Sequence, residues 1–202
     1  MPVSFSSNGY SNYSAPFAPT ATRTNASSAS GAQRTAAPRT LDDLAKASSS
    51  ELQQLFDRAS CPPSEVAKMC GPLDGRQLAW TDTSGRGPLA VVRRGLTRLS
   101  PWRGKSFHPA TPGATHGNGI NNIIPLGQAF TFQYAIGPSA LDGRPCVILN
   151  YNHNDNSNGP IRHVHDELRP VASGLYLGIA MVKTDSKDPD PVLYFALALP
   201  ST

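Results

Sequence analysis

The stretch "IRHVHDELR", Ile161–Arg169, gathers two histidines, an aspartate, a glutamate and two arginines into nine residues. These are side chains that move protons, bind metals or hold anions. Alternate residues of a strand share a face. His163, His165 and Glu167 would then stand on one side, with Arg162, Val164, Asp166 and Leu168 on the other. Acid–base work could draw on both faces, with His163, His165, Asp166 and Glu167 as the catalytic candidates. A metal would need more: His153 could add a third ligand from the polar loop, but the ligand count and spacing that define such sites are incomplete. No metal and no cofactor is expected. On the second face Arg162 either pairs with Asp166 inside a closed sheet or offers its planar fork of donors to a ligand carboxylate. A single strand does not say which face looks inward.

A second cationic pair lies in "PWRGKSF", where strict alternation puts Arg103 and Lys105 on one face and Trp102, Gly104 and Ser106 on the other. Arg103 and Lys105 are candidates for an anionic headgroup, as Arg162 is for a ligand carboxylate, each weighed against ordinary surface charge. The ligand-binding candidates are Trp102, Arg103, Lys105, Arg162 and Asp166, with Phe132, Tyr134, Asn150 and Tyr176 from neighbouring strands. Nucleophile motifs are missing: there is no Gly-x-Ser-x-Gly elbow, and Cys61, Cys70 and Cys146 sit in no catalytic phrase. An odd cysteine count without CxxC argues against a disulfide framework or a zinc ribbon, and small buried thiols are expected. "GPLDGRQ", "GATHGNG" and "GPSALDG" read as Gly-bearing turns and lack the strand–loop–helix setting of a phosphate cradle.

The elements that must position these residues are mostly strands. "QAFTFQYAI" sets Phe130, Phe132, Tyr134 and Ile136 on one face, and "CVILNY" sets Val147, Leu149 and Tyr151 on one face. "QLAW", "WRGKSF", "GINNII", "IRHVHDEL", "LYLGIAMVK" and "VLYFALAL" complete about eight, with "RPVASG" and "GPSALDGRP" as turns. Helices collect at the front. Thr40 caps "LDDLAKA", Ser50 and Gln53 form a capping-box pattern, Ser64 caps a third short helix, and "LAVVRRGLTRL" carries an apolar stripe with Arg93, Arg94 and Arg98 largely off it. Eight consecutive antiparallel strands tend to close, which removes exposed edges. The fold class is therefore mainly β with short α elements: an antiparallel, roughly eight-stranded barrel over residues 41–202, with helices able to plug or cover one end. Such a barrel is wide enough for one small ligand.

The first 40 residues differ in kind. Thirty are Ser, Thr, Asn, Ala, Pro or Gly, none is acidic, and the side-chain charges are Arg23, Arg34 and Arg39. So few apolar groups do not offset the entropy of ordering, and a disordered tail is expected. Taking its three arginines from the 18 Lys and Arg leaves 15 against 14 Asp and Glu in 41–202. A domain so near neutrality makes no electrostatic claim on nucleic acid. No segment has the length and apolarity of a membrane span or a signal-peptide core.

The barrel phrases "PWRGKSF" and "DELR…GLYLG" resemble the lipocalin or calycin group. In outline residues 100–199 are similar to plastid lipid-associated (fibrillin) proteins and to small bacterial proteins of no known role. That resemblance implies a calycin-like barrel taking an apolar or lipid-like ligand. The His-x-His followed by Glu in 161–168 resembles the cupin metal motif but departs from its spacing. The Ser/Thr/Asn-rich leader with Val3 near its start resembles the secretion signal of bacterial type III effectors, a plastid or mitochondrial transit peptide being the alternative and plain cytoplasmic residence a further one. The reading is a binding module rather than an enzyme, delivered into a host cell, with an apolar or amphipathic small molecule and a host protein as partners. Nucleic acid and integral membrane association are not expected. Its rivals are an enzyme at the His163–Glu167 cluster and an organelle-targeted lipid-associated protein.

Overall fold

A computed structural model describes residues 37–81, 102–153, 158–183 and 189–200, all within one compact unit, Ala36–Thr202. The leader up to residue 36 and the expected helix at 89–99 lie outside the described residues. Three short helices, α1 (Leu41–Ala45), α2 (Ser49–Arg58) and α3 (Pro63–Val66), precede eight strands. The strands are β1 (Gly71–Trp80), β2 (Trp102–Pro109), β3 (Gly117–Ile123), β4 (Gly127–Pro138), β5 (Pro145–Asn150), β6 (Val164–Ala172), β7 (Leu175–Val182) and β8 (Asp190–Ala198). Each pairs antiparallel with the next, and β8 pairs with β1, closing the barrel.

The period-two apolar residues turn inward. Leu73, Phe107, Phe132, Tyr134, Leu149, Leu168, Tyr176 and Phe195 form the interior cluster. β7 is buried along its whole length, the mark of a strand covered on both faces. Its outward Leu175, Leu177, Ile179 and Met181 pack with Leu44, Leu52 and Phe56 of α1 and α2. These two helices therefore cover the barrel wall. The third serves the end: Val66, Met69 and Cys61 join the interior cluster. There the Tyr176 hydroxyl donates to the Glu65 carbonyl at 2.8 Å.

Several local expectations are corrected. The α2 capping box uses Ser48 and Glu51, not Ser50 and Gln53, because α2 starts two residues earlier. α3 follows Pro62 with Pro63 in its first turn, and Ser64 is not the cap. β1 begins at Gly71 inside the supposed turn "GPLDGR". Residues 159–163 form a 3-10 turn, so β6 starts at Val164, and "RPVA" is strand rather than turn. Cys61 and Cys146 are buried as expected, whereas Cys70 is exposed.

One irregularity decides the site. Trp102 pairs with Ile123 and Gly104 with Asn122, so Arg103 is an extra residue, a β-bulge. Gly104 carries it with φ +135, and a Cβ there would stand 2.0 Å from the Leu73 carbonyl oxygen. The bulge shifts the parity of β2. Trp102 and Lys105, which strict alternation places on opposite faces, both look into the barrel, and Arg103 is left exposed.

Candidate functional site

The barrel has two unlike ends. The one at the starts of β1, β3, β5 and β7 is filled by α3 and the large side chains above it. At the other, where β3 turns into β4 and β6 begins, a half-open cavity of about 70 Å³ remains. Its polar floor is Lys105, Asn121, Tyr151 and Asp166; its walls include Trp102, Ile123, Phe130, Ile161, Leu193 and Phe195.

Lys105 and Asp166 form an ion pair, Nζ to Oδ2 3.0 Å, with both side chains 4% exposed. Charges seldom survive such burial unless paired and hydrogen-bonded. Here the ammonium also donates to Asn121 Oδ1 at 2.7 Å and to the Tyr151 hydroxyl at 2.5 Å. Tyr151 in turn donates to Asp166 Oδ2 at 2.8 Å. The rings of Trp102, Phe132, Tyr151 and Phe195 stand 5.3–5.4 Å from the ammonium, within cation–π range. Trp102 is held by its indole N–H, which donates to Asn121 Oδ1 at 3.0 Å. Asn121 is oriented by donating to the Phe130 carbonyl at 2.9 Å. That carbonyl comes from a residue in left-handed backbone, φ 60, where the β3–β4 register slips. Burial pulls the Lys105 ammonium below its ordinary pKa, against the attraction of Asp166. Burial, and then the Asp166 charge, push the Tyr151 hydroxyl well above its own. Asp166 Oδ1 is buried and has no hydrogen-bond partner among the described residues.

Of the candidates, Trp102, Lys105 and Asp166 meet at this cavity. Phe132 lies under the ammonium, Tyr134 lies in the packed interior, and Tyr176 belongs to the sealed end. Arg103, Asn150 and Arg162 are exposed. The anticipated Arg162–Asp166 pair does not form: the 3-10 turn takes Arg162 out of the strand, and its Nε donates to His163 Nε2 at 3.2 Å. The four catalytic candidates are not one cluster. Asp166 faces the lumen, while His165 and Glu167 face outward, with His165 Nε2 3.1 Å from Glu167 Oε1. Glu167 is fully buried under the β4–β5 loop, accepting from Ser139 Oγ at 2.5 Å and from the Ala140 N–H at 2.7 Å. Burial raises its carboxyl, but the hydrogen bonds from His165, Ser139 and Ala140 outweigh it and leave the pKa below the ordinary value. Among the described residues no group of three His, Cys, Asp or Glu is placed to hold a metal. His153 is tied to Thr131, 3.0 Å from its hydroxyl.

Two features escaped the sequence reading. Tyr151 and Asn121 were visible only as members of alternating strands, with no mark of polar contact. Arg169, read as part of a turn, is a fully buried clamp. Its guanidinium donates from Nη1 to Asp142 Oδ2 at 3.0 Å and from Nη2 to Asp142 Oδ1 at 2.5 Å. It also donates to the Phe56 carbonyl at 3.0 Å and stacks 4.4 Å from the Phe56 ring, joining the β4–β5 loop, β6 and α2.

No protein-family model matches the chain, and no curated protein matches it. A crystal structure of a protein from Thermomonospora curvata is similar, at 19% identity over 77% of this chain and 89% of that one, with a TM-score of 0.44. The closed eight-strand antiparallel barrel fits a calycin-like barrel. Nothing in these comparisons supports kinship with the plastid lipid-associated proteins or a type III leader. No helix among the described residues is long and apolar enough to cross a membrane.

Proposed function

We propose that the protein is a small-molecule-binding barrel whose ligand enters at the end away from α3. The observation that carries this reading is the coincidence of an enclosed Lys105–Asp166 pair with a half-open cavity walled by apolar side chains. Such a site pairs apolar walls, which supply affinity, with a few fixed polar groups, which supply orientation. The cavity of about 70 Å³ bounds the ligand. Pockets for drug-sized molecules run to roughly 300–1,000 Å³, so a long acyl chain fits poorly and a compact amphipathic molecule fits well. This narrows the lipid-like ligand of the resemblance. Acid–base catalysis is less well supported, because Asp166 is the one candidate of the four in the lumen and its neighbour Lys105 already engages it. The composition of residues 1–40 supports a delivery role for the leader, with type III export proposed ahead of organelle import.

The test reads the Trp102 indole N–H resonance of the full chain by NMR while small alcohols, phenols, ketones and carboxylic acids are titrated in. A saturable shift in the wild type, absent in Ala180→Leu, which places a larger side chain in the cavity wall, is the expected result. No saturable shift with any of these compounds refutes the binding reading.

A further inference from the structure

We infer that the cavity selects a neutral ligand bearing a hydrogen-bond donor, a hydroxyl or N–H, which it directs at Asp166 Oδ1. This rests on the binding reading above and names the chemistry of that ligand. The argument is a count of donors and acceptors on the floor. The ammonium of Lys105 has three N–H groups, and three acceptors take them: Asn121 Oδ1, the Tyr151 hydroxyl and Asp166 Oδ2. The single proton of the Tyr151 hydroxyl goes to Asp166 Oδ2. The indole N–H of Trp102 goes to Asn121 Oδ1. The Asn121 amide has two hydrogens; Nδ2 lies 2.9 Å from the Phe130 carbonyl and 3.4 Å from the Tyr151 oxygen. Every donor of the floor is thus spent inside the protein. The polar atom left over is Asp166 Oδ1, buried and without a partner among the described residues, and a carboxylate oxygen can only accept.

Charge points the same way. Lys105 and Asp166 cancel, so an anion entering the cavity finds no free donor among the floor residues to offset its desolvation. A cation would be drawn to Oδ1 but would stand beside the Lys105 ammonium. A neutral donor meets neither objection. Gln77, half-buried in the cavity wall, has an amide that both donates and accepts, so it does not bias the choice. The anionic headgroup suggested by Arg103, Lys105 and Arg162 is therefore reversed: two of those cations are exposed, and the third is already satisfied.

Phenol, anisole and benzoate separate the possibilities. All three present the same ring to the apolar walls. Phenol offers a donor, anisole blocks it with a methyl group, and benzoate replaces it with an anion. Phenol should shift the Trp102 resonance with an affinity about tenfold or more above that of anisole, the size expected for a hydrogen bond to a charged acceptor, with benzoate weakest. Asp166→Asn should invert the order. Lys105 and Tyr151 both donate to one oxygen, so they hold the asparagine carbonyl and turn its NH₂ to the cavity, where anisole or acetophenone becomes the better ligand. Equal binding of phenol and anisole by the wild type overturns the donor inference and leaves the binding reading standing. Binding of none of them overturns both. An Asp166→Asn protein that keeps the phenol preference also overturns the inference. So does a high-resolution structure with phenol present in which water alone contacts Oδ1. The wild-type comparison decides the matter even where Asp166→Asn does not fold.

Discussion

Lys105 and Asp166 meet across the lumen, Nζ 3.0 Å from Oδ2, from strands that stand four apart in a ring of eight. The pair therefore bridges opposite walls of the barrel. It sits between the packed interior and the cavity, so it is both the top of the core and the floor of the site.

Breaking this bridge from one side should be costly. Lys105→Met leaves the Asp166 carboxylate buried and unpaired, and losses of about 3–5 kcal/mol follow the removal of one partner of a buried ion pair. Replacing both, as in Lys105→Met/Asp166→Leu, removes the orphan and should recover most of that loss. Urea denaturation of the wild type, the single variant and the double variant measures the effect. A double variant no more stable than the single one contradicts this account of the pair.

Stability should also fall in acid through the Arg169 clamp. Hydrogen bonding from the Arg169 guanidinium holds the Asp142 carboxyl well below the ordinary carboxylate range. A carboxyl whose native pKa lies below its unfolded value of about 3.9 adds stability that is whole above that value. It shrinks as the pH drops and is lost once the pH falls through the native pKa. Glu167, also lowered, acts with the same sign. Asp142→Asn should cost about 3 kcal/mol at neutral pH by leaving a buried guanidinium uncompensated, and should flatten the acid limb of the stability curve. An unchanged slope below about pH 4 would show that Asp142 does not carry that limb.

How far the site was legible follows parity and partners rather than residue type. Phe132, Tyr134, Val147, Leu149 and Tyr151 alternate cleanly, and they line the interior as the period of two requires. Closure of eight strands follows from the same pattern. The β1 start was hidden because Pro72, Gly71 and Gly75 imitate a turn, although the strand is set by its pairing with β2 and β8. Lys105 and Asp166 were both visible as charged residues on strands, but not as partners. The Arg103 bulge reverses the faces of β2, the 3-10 turn removes Arg162 from β6, and opposition across a barrel leaves no trace in local spacing. Arg169 was obscured by Pro170, which reads as a turn yet pairs with Tyr176 in the β6–β7 ladder.

The leader yields a prediction independent of the barrel. Residues 1–40 hold no Asp or Glu and are three-quarters small or polar, a composition suited to passing unfolded through a narrow channel. Fused to a reporter, residues 1–50 should direct export from cells with a working type III apparatus and not from cells lacking it. Import into plastids or mitochondria would replace this proposal with organelle targeting, and a reporter that goes nowhere would leave the segment without an address.

The last prediction joins packing to binding. Gly178 on β7 faces Phe195 on β8, and a Cβ at Gly178 would stand 2.3 Å from Cζ of the Phe195 ring. That ring packs edge-on against Trp102, 5.6 Å between centroids, lies 5.3 Å from the Lys105 ammonium and lines the cavity. Gly178→Ala therefore moves Phe195 toward the cavity. Overpacking of this kind costs about 1–3 kcal/mol, and the same movement should weaken phenol binding, since less room is left beside Asp166. Phe195→Leu removes the ring edge that collides. Gly178→Ala/Phe195→Leu should then be more stable than the sum of the two single effects predicts, the sign of direct contact in a double-mutant cycle. Simple additivity would mean that Phe195 is not what the new methyl group meets.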